Sequence, residues 1–141
     1  MMRAFWVCCR LVFAAVFVVA GLGKMFDAGG FATVISHYQI LPARMIYGAA
    51  LVLPAVEVVG GLALLCGVLV RGSLVVLNAL IAAFLSAMGL AMARGLDVTC
   101  GCFGGAGQAV NRETLTRDGI LLAVGLVALW GAFVQARQTE N

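Results

Sequence analysis

The chain has 141 residues, 64% of them hydrophobic and 11% charged, and a formal net charge of +3 from nine basic and six acidic side chains. A charged share less than half of the roughly 25% usual in soluble domains argues against a water-soluble globule, and so apolar a chain does not stay disordered. The basic residues are scattered singly, with no stripe that could track phosphates, which argues against nucleic acid as a partner. A single domain over residues 1–141 is expected at this length.

Crossing a bilayer takes about 20 apolar residues in a helix. Four such spans are expected, near residues 4–23, 46–70, 74–93 and 119–136. The predicted fold class is therefore all-α, an integral membrane four-helix bundle in direct contact with lipid. The third and fourth spans carry no charge, the second only Glu57, and the first only Arg10, near enough to its start to snorkel to the headgroups. An alternative for the first span is a secretory signal, because Arg3 and Arg10 precede an apolar run and Val18-Val19-Ala20 resembles a cleavage site. Small residues at Ala82, Ser86, Gly89 and Ala93 share one face of the third span and are expected to let a neighbouring helix approach closely.

With the amino terminus inside, Arg3, Arg10, Arg71 and Arg137 lie inside and Lys24, Arg44, Arg94, Arg112 and Arg117 outside. Counting Lys and Arg alone does not decide the orientation. The outer basic residues share their loops with Asp27, Asp97, Glu113 and Asp118, which favours both termini on the cytoplasmic side. Val70-Arg71-Gly72 then forms a tight cytoplasmic turn, and the long connections 24–44 and 94–118 share the outer face.

The second long connection contains Thr99-Cys100-Gly101-Cys102-Phe103-Gly104-Gly105. A fully extended tripeptide sets its outer α-carbons roughly 7 Å apart, beyond the usual disulfide range, so a Cys100–Cys102 bridge requires a bend. Gly101, lacking a β-carbon, permits one. A bridge across so short a loop restrains the unfolded chain little and carries strain, which suits a labile, exchangeable bond. Two other readings stay open: inert thiols, and a metal site to which His37 would have to contribute, although one cysteine cluster falls short of the four ligands of a structural zinc. Cys8, Cys9 and Cys66 read as small apolar residues near the inner face, with a second thiol relay as the alternative.

Glu57 falls about 18 Å into the second span, near the bilayer midplane, where a carboxylate is costly and faces a partner or a wet cavity. Pro54 one turn before it and Gly60-Gly61 after it loosen the local backbone, and Ser86 at similar depth is the expected hydrogen-bond partner. Glu57 either moves a proton as thiols or a bound quinone change redox state, or joins helices as a neutral, hydrogen-bonded acid.

Tyr38-Gln39-Ile40-Leu41-Pro42, Leu53-Pro54 with Glu57 and Gly61, and Cys100-Gly101-Cys102-Phe103-Gly104 before a last apolar span together resemble the MauE family of DoxX-like membrane proteins. The resemblance extends from Gly21-Leu22-Gly23-Lys24-Met25-Phe26 through the fourth span, and the Cys-Gly-Cys-Phe-Gly segment is its most specific part. It implies an inner-membrane protein of methylamine utilisation that assists maturation or export of the disulfide-rich small subunit of methylamine dehydrogenase, beside a periplasmic thioredoxin-like protein. The layout is more distantly similar to quinone-linked thiol oxidases of the vitamin K epoxide reductase type, which use Cys-x-x-Cys.

The expected site is thus Cys100 and Cys102 as exchanging thiols with Glu57 as the proton-handling group, no metal, and a quinone as the one cofactor left open. The expected partners are a periplasmic thioredoxin-like protein and a client periplasmic protein. The competing expectations are a non-catalytic membrane assembly or chaperone subunit and a small proton-coupled transporter using Glu57.

Overall fold

A chain in lipid has no water to satisfy its amide groups, so apolar runs close their N–H groups onto their own carbonyls. In the computed structural model, which describes residues 2–98 and 112–139, this produces α1 (Met2–Phe26), α2 (Ala28–His37), α3 (Ala43–Cys66), α4 (Val70–Ala93) and α5 (Arg112–Thr139). The described residues contain no strand. Four of the helices, α1, α3, α4 and α5, are long and apolar enough to cross a membrane. Each packs on two neighbours in the cyclic order α1, α3, α4, α5, with α1 and α3 the most closely associated pair.

The core fills from all four spans: Phe13, Ala14 and Phe17 of α1, Leu64 of α3, Leu74, Leu77 and Ile81 of α4, and Ala128 of α5. The Phe13 and Phe17 rings meet at 4.8 Å. Outside it, side chains such as Val12, Val19, Leu51, Val59, Ile120 and Trp130 are exposed, an apolar exterior suited to acyl chains. Asn78 interrupts the core. Its Nδ2 donates to the Leu74 carbonyl at 2.7 Å, while its buried Oδ1 has no partner among the described residues. A buried acceptor left unmatched costs about 1–3 kcal/mol. Asn78→Leu is accordingly expected to leave the melting temperature unchanged or raise it, and a fall of several degrees would contradict this account.

Close packing of α1 on α3 comes from glycine. A β-carbon on Gly61 would stand 2.6 Å from Val18 Cγ2 and 3.0 Å from the Ala14 carbonyl, and one on Gly21 would stand 2.8 Å from Val58 Cγ2 and 3.0 Å from the Pro54 carbonyl. The small-residue face expected to make the close contact, Ala82, Ser86, Gly89 and Ala93, does not do so: Ser86 and Ala93 are exposed, and nothing approaches the Gly89 β-position. The buried face of α4 is the one bearing Leu74, Leu77, Asn78, Ile81, Met88 and Ala91. Small size permits a close approach, but which helix face turns inward depends on where the larger apolar side chains find partners.

Two further boundaries differ from expectation. The α3–α4 turn lies at Gly67-Val68-Leu69, three residues before the predicted one, and Val70-Arg71-Gly72 already belongs to α4. Gly67 ends α3 in the left-handed region at φ 74°, and the Val68 N–H returns to the Ala63 carbonyl at 2.9 Å, a glycine-terminated helix end. The first long connection contains α2, opened by Asp27, whose Oδ1 accepts from the Gly30 N–H at 2.9 Å. Phe31, Ala32 and Ile35 of α2 bury against Ala50 of α3, beside Phe84 of α4. A ten-residue helix is too short to register as a span, although its amphipathic spacing is present in the sequence.

Candidate functional site

Glu57 sits on the face of α3 turned toward α1, fully inside the bundle. Its partner is Lys24, not Ser86. Lys24 Nζ lies 2.7 Å from Oε1 and 2.8 Å from Oε2, and both side chains are 3% exposed. Ser86 Oγ instead donates to the Ala82 carbonyl of its own helix at 2.8 Å, and Ser86 is exposed.

Lys24, expected in an outer connection, belongs to the last turn of α1, because the helix continues through Lys24-Met25-Phe26. Its ammonium is 5.3 Å from the centre of the Phe31 ring and 5.0 Å from that of Phe84. α1 thus supplies the cation, α3 the anion, and α2 and α4 an aromatic face each. Two of the three ammonium protons reach the carboxylate, and the rings present their negative faces to the remaining charge. Taking either ion into a dry interior alone is prohibitive, whereas together they form a bidentate, net-neutral unit.

A cavity of about 30 Å³ adjoins the pair, lined by Phe17, Ala20, Lys24, Glu57, Phe84 and Asp118, among others. That is room for one or two water molecules. Asp118, expected in the outer connection, lies in α5 and is buried, and its Oδ1 accepts from Arg117 Nε at 3.1 Å. One cation and two carboxyl groups therefore border one small cavity whose walls are otherwise apolar. Sequence reasoning singled out Glu57 but missed Lys24 and Asp118. The available signal was the rule that an intramembrane acid needs a partner, applied to a lysine at the end of the preceding span.

Cys100 and Cys102 lie outside the described residues. The flanking segments are described: Val98 is buried with Tyr38, Met88 and Ala91, and α5 begins at Arg112. Both flanks stand at the end of the bundle that holds α2 and the Lys24–Glu57 pair. His37, the last residue of α2, is exposed. Cys8, Cys9 and Cys66 are free thiols; Cys9 packs against the core, but Cys8 and Cys66 are exposed rather than buried.

A family model described as methylamine utilisation protein MauE matches residues 2–131. The chain belongs to the MauE family. It is 33% identical over 136 residues to the methylamine utilization protein MauE of Paracoccus denitrificans, covering 94% of this chain and 73% of that protein. No solved structure matches. The MauE match spans Lys24, Glu57, Cys100, Cys102 and Asp118, so the buried ion pair and the two cysteines both fall within the matched region.

Proposed function

We propose that this protein acts in methylamine utilisation as an inner-membrane component with both termini cytoplasmic. In this role Cys100 and Cys102 exchange disulfides with a periplasmic thioredoxin-like protein, supporting maturation of a periplasmic client such as the small subunit of methylamine dehydrogenase. Membership of the MauE family supports the metabolic setting. The observation that carries the chemistry is that both flanks of the Cys-Gly-Cys segment stand at the same end of the bundle as the Lys24–Glu57 pair and its cavity.

In the exchange, the thiolate of one partner attacks a sulfur of the other's disulfide and forms a mixed disulfide. The second thiol of the attacking pair then displaces the departing partner as a dithiol. One S–S bond forms for each that breaks, and two electrons pass from the dithiol that becomes oxidised to the disulfide that becomes reduced. Two protons leave the oxidised pair and two join the reduced one. Glu57, held by Lys24, takes up or returns a proton through the adjoining cavity as the thiols change state.

The test is trapping in cells. Cys100→Ser and Cys102→Ser, examined separately, are expected to differ, one of them accumulating a mixed disulfide with a periplasmic protein on non-reducing gels. The double variant is expected to lose methylamine-dependent growth. Unimpaired growth of the double variant, with no adduct from either single variant, would replace this proposal with a non-catalytic assembly role resting on the bundle alone.

A further inference from the structure

We propose that the end of the bundle at the α3–α4 turn binds the phosphate of an anionic phospholipid headgroup, gripped by Arg10 and Arg71. The charge distribution points there first. Among the described residues, the basic side chains at this end are Arg3, Arg10, Arg71 and Arg137, and no aspartate or glutamate accompanies them; Glu140 lies outside the described residues. At the opposite end Arg44, Arg94, Arg112 and Arg117 are matched in number by Asp27, Asp97, Glu113 and Asp118, and Lys24 is neutralised by Glu57. The molecule's positive charge is therefore concentrated at one end.

The local geometry is that of an incomplete site. Arg10 of α1 lines a cavity of about 30 Å³ together with Trp6, Val70 at the start of α4, and Ala128, Ala132 and Gln135 of α5. Its Nε is buried and has no hydrogen-bond partner among the described residues. A guanidinium donor sequestered from water without an acceptor is costly, and the guanidinium fork matches a phosphate in two parallel hydrogen bonds. Arg71 follows Val70, one of the cavity's lining residues, and its guanidinium lies 5.8 Å from the centre of the Phe133 ring on the neighbouring helix, which gives this end of the bundle a second fork. Leu69, the residue capping α4, offers no side-chain acceptor to the first amides of that helix, whose dipole adds to the positive potential.

An esterified phosphate fits better than a free one because the rim is apolar. Phe5, Leu69 and Phe133, each next in sequence to a residue lining the cavity, are exposed, and Trp6 lies against the position of Gly131. Acyl chains would cover this rim while the phosphate met the arginines. The site is independent of the thiol chemistry and lies at the opposite end of the bundle.

The experiment reconstitutes the full chain in phosphatidylcholine vesicles with and without phosphatidylglycerol and follows thermal unfolding, with native mass spectrometry of the released protein as a second readout. A ligand that binds only the folded state raises its melting temperature. Phosphatidylglycerol is expected to raise that of the wild type by several degrees and to remain bound as an adduct several-fold more often than phosphatidylcholine. Arg10→Gln and Arg71→Gln should each lose most of the shift, Arg10→Lys should keep part of it, and Arg94→Gln at the far end should keep all of it. Should Arg10→Gln fail to fold, Arg71→Gln and the wild-type adducts decide. Equal behaviour in the two lipids, or a full shift in Arg71→Gln, would overturn the proposal. Inorganic phosphate reproducing the shift in phosphatidylcholine vesicles would also overturn it, as a free-anion site.

Discussion

Lys24→Ala and Glu57→Ala are each expected to destabilise the folded protein by about 3–5 kcal/mol, the cost of leaving one ion of a buried pair without its counter-charge. Both side chains are 3% exposed and the contacts are 2.7 and 2.8 Å, so the survivor is left charged and shielded from bulk water. Replacing both ions by apolar residues of similar volume, as in Lys24→Met with Glu57→Leu, should restore most of the loss, because a buried pair often contributes little net stability over a packed apolar one. Thermal unfolding of the wild type, Lys24→Met, Glu57→Leu and their combination in one detergent forms a double-mutant cycle. Single variants as stable as the wild type would refute the pairing.

The same set separates chemistry from architecture. Glu57→Gln alone does not, because it strands the Lys24 ammonium between two phenyl rings. The apolar double variant removes both charges and keeps the bundle. If Glu57 handles a proton during thiol exchange, that variant folds and loses methylamine-dependent growth. If the pair only pins α1 to α3, growth survives.

Gly61→Val is expected to separate α1 from α3. Even a single β-carbon there meets the Ala14 carbonyl at 3.0 Å and the Val18 nitrogen at 3.2 Å, and backbone atoms cannot rotate out of the way. Overpacking of this kind costs about 1–3 kcal/mol, and the two γ-methyls of valine place the change at or above the upper end. Gly21→Ala is expected to act on the site as well as the fold, because its β-carbon would lie 3.1 Å from Glu57 Cβ. Gly48→Ala, in α3 with open space around it, should be neutral or slightly stabilising, since alanine is the better helix former. Melting temperatures ranking Gly61→Val no lower than Gly48→Ala would remove the glycine seam from this account.

The four spans were legible because lipid imposes a length and a composition that few other environments require. The second span illustrates the limit of that signal. Its apolar run continues through Leu69 and Val70, but the helix stops at Cys66, where Gly67 turns left-handed, and hydropathy does not register a conformational stop. α2 escaped for the opposite reason, being amphipathic and short, with only Phe31, Ala32 and Ile35 buried. The cysteine pair was conspicuous by spacing alone, and the family match includes it.

From its sequence alone, this protein was bound to be a helical membrane protein with a carboxylate inside the bilayer, because apolar length and the scarcity of charge act on each segment separately. Which groups meet was settled by tertiary structure. Lys24 and Glu57 are 33 residues apart, and their contact depends on the rotation of α1 and α3 about their axes, set by Gly21 and Gly61 at the seam. Asp118 reaches the same cavity through the placement of α5, and Ser86 misses it because α4 turns that side outward. Hydropathy is a local property of the chain, whereas the pairing of buried charges is a property of helix faces brought together by packing.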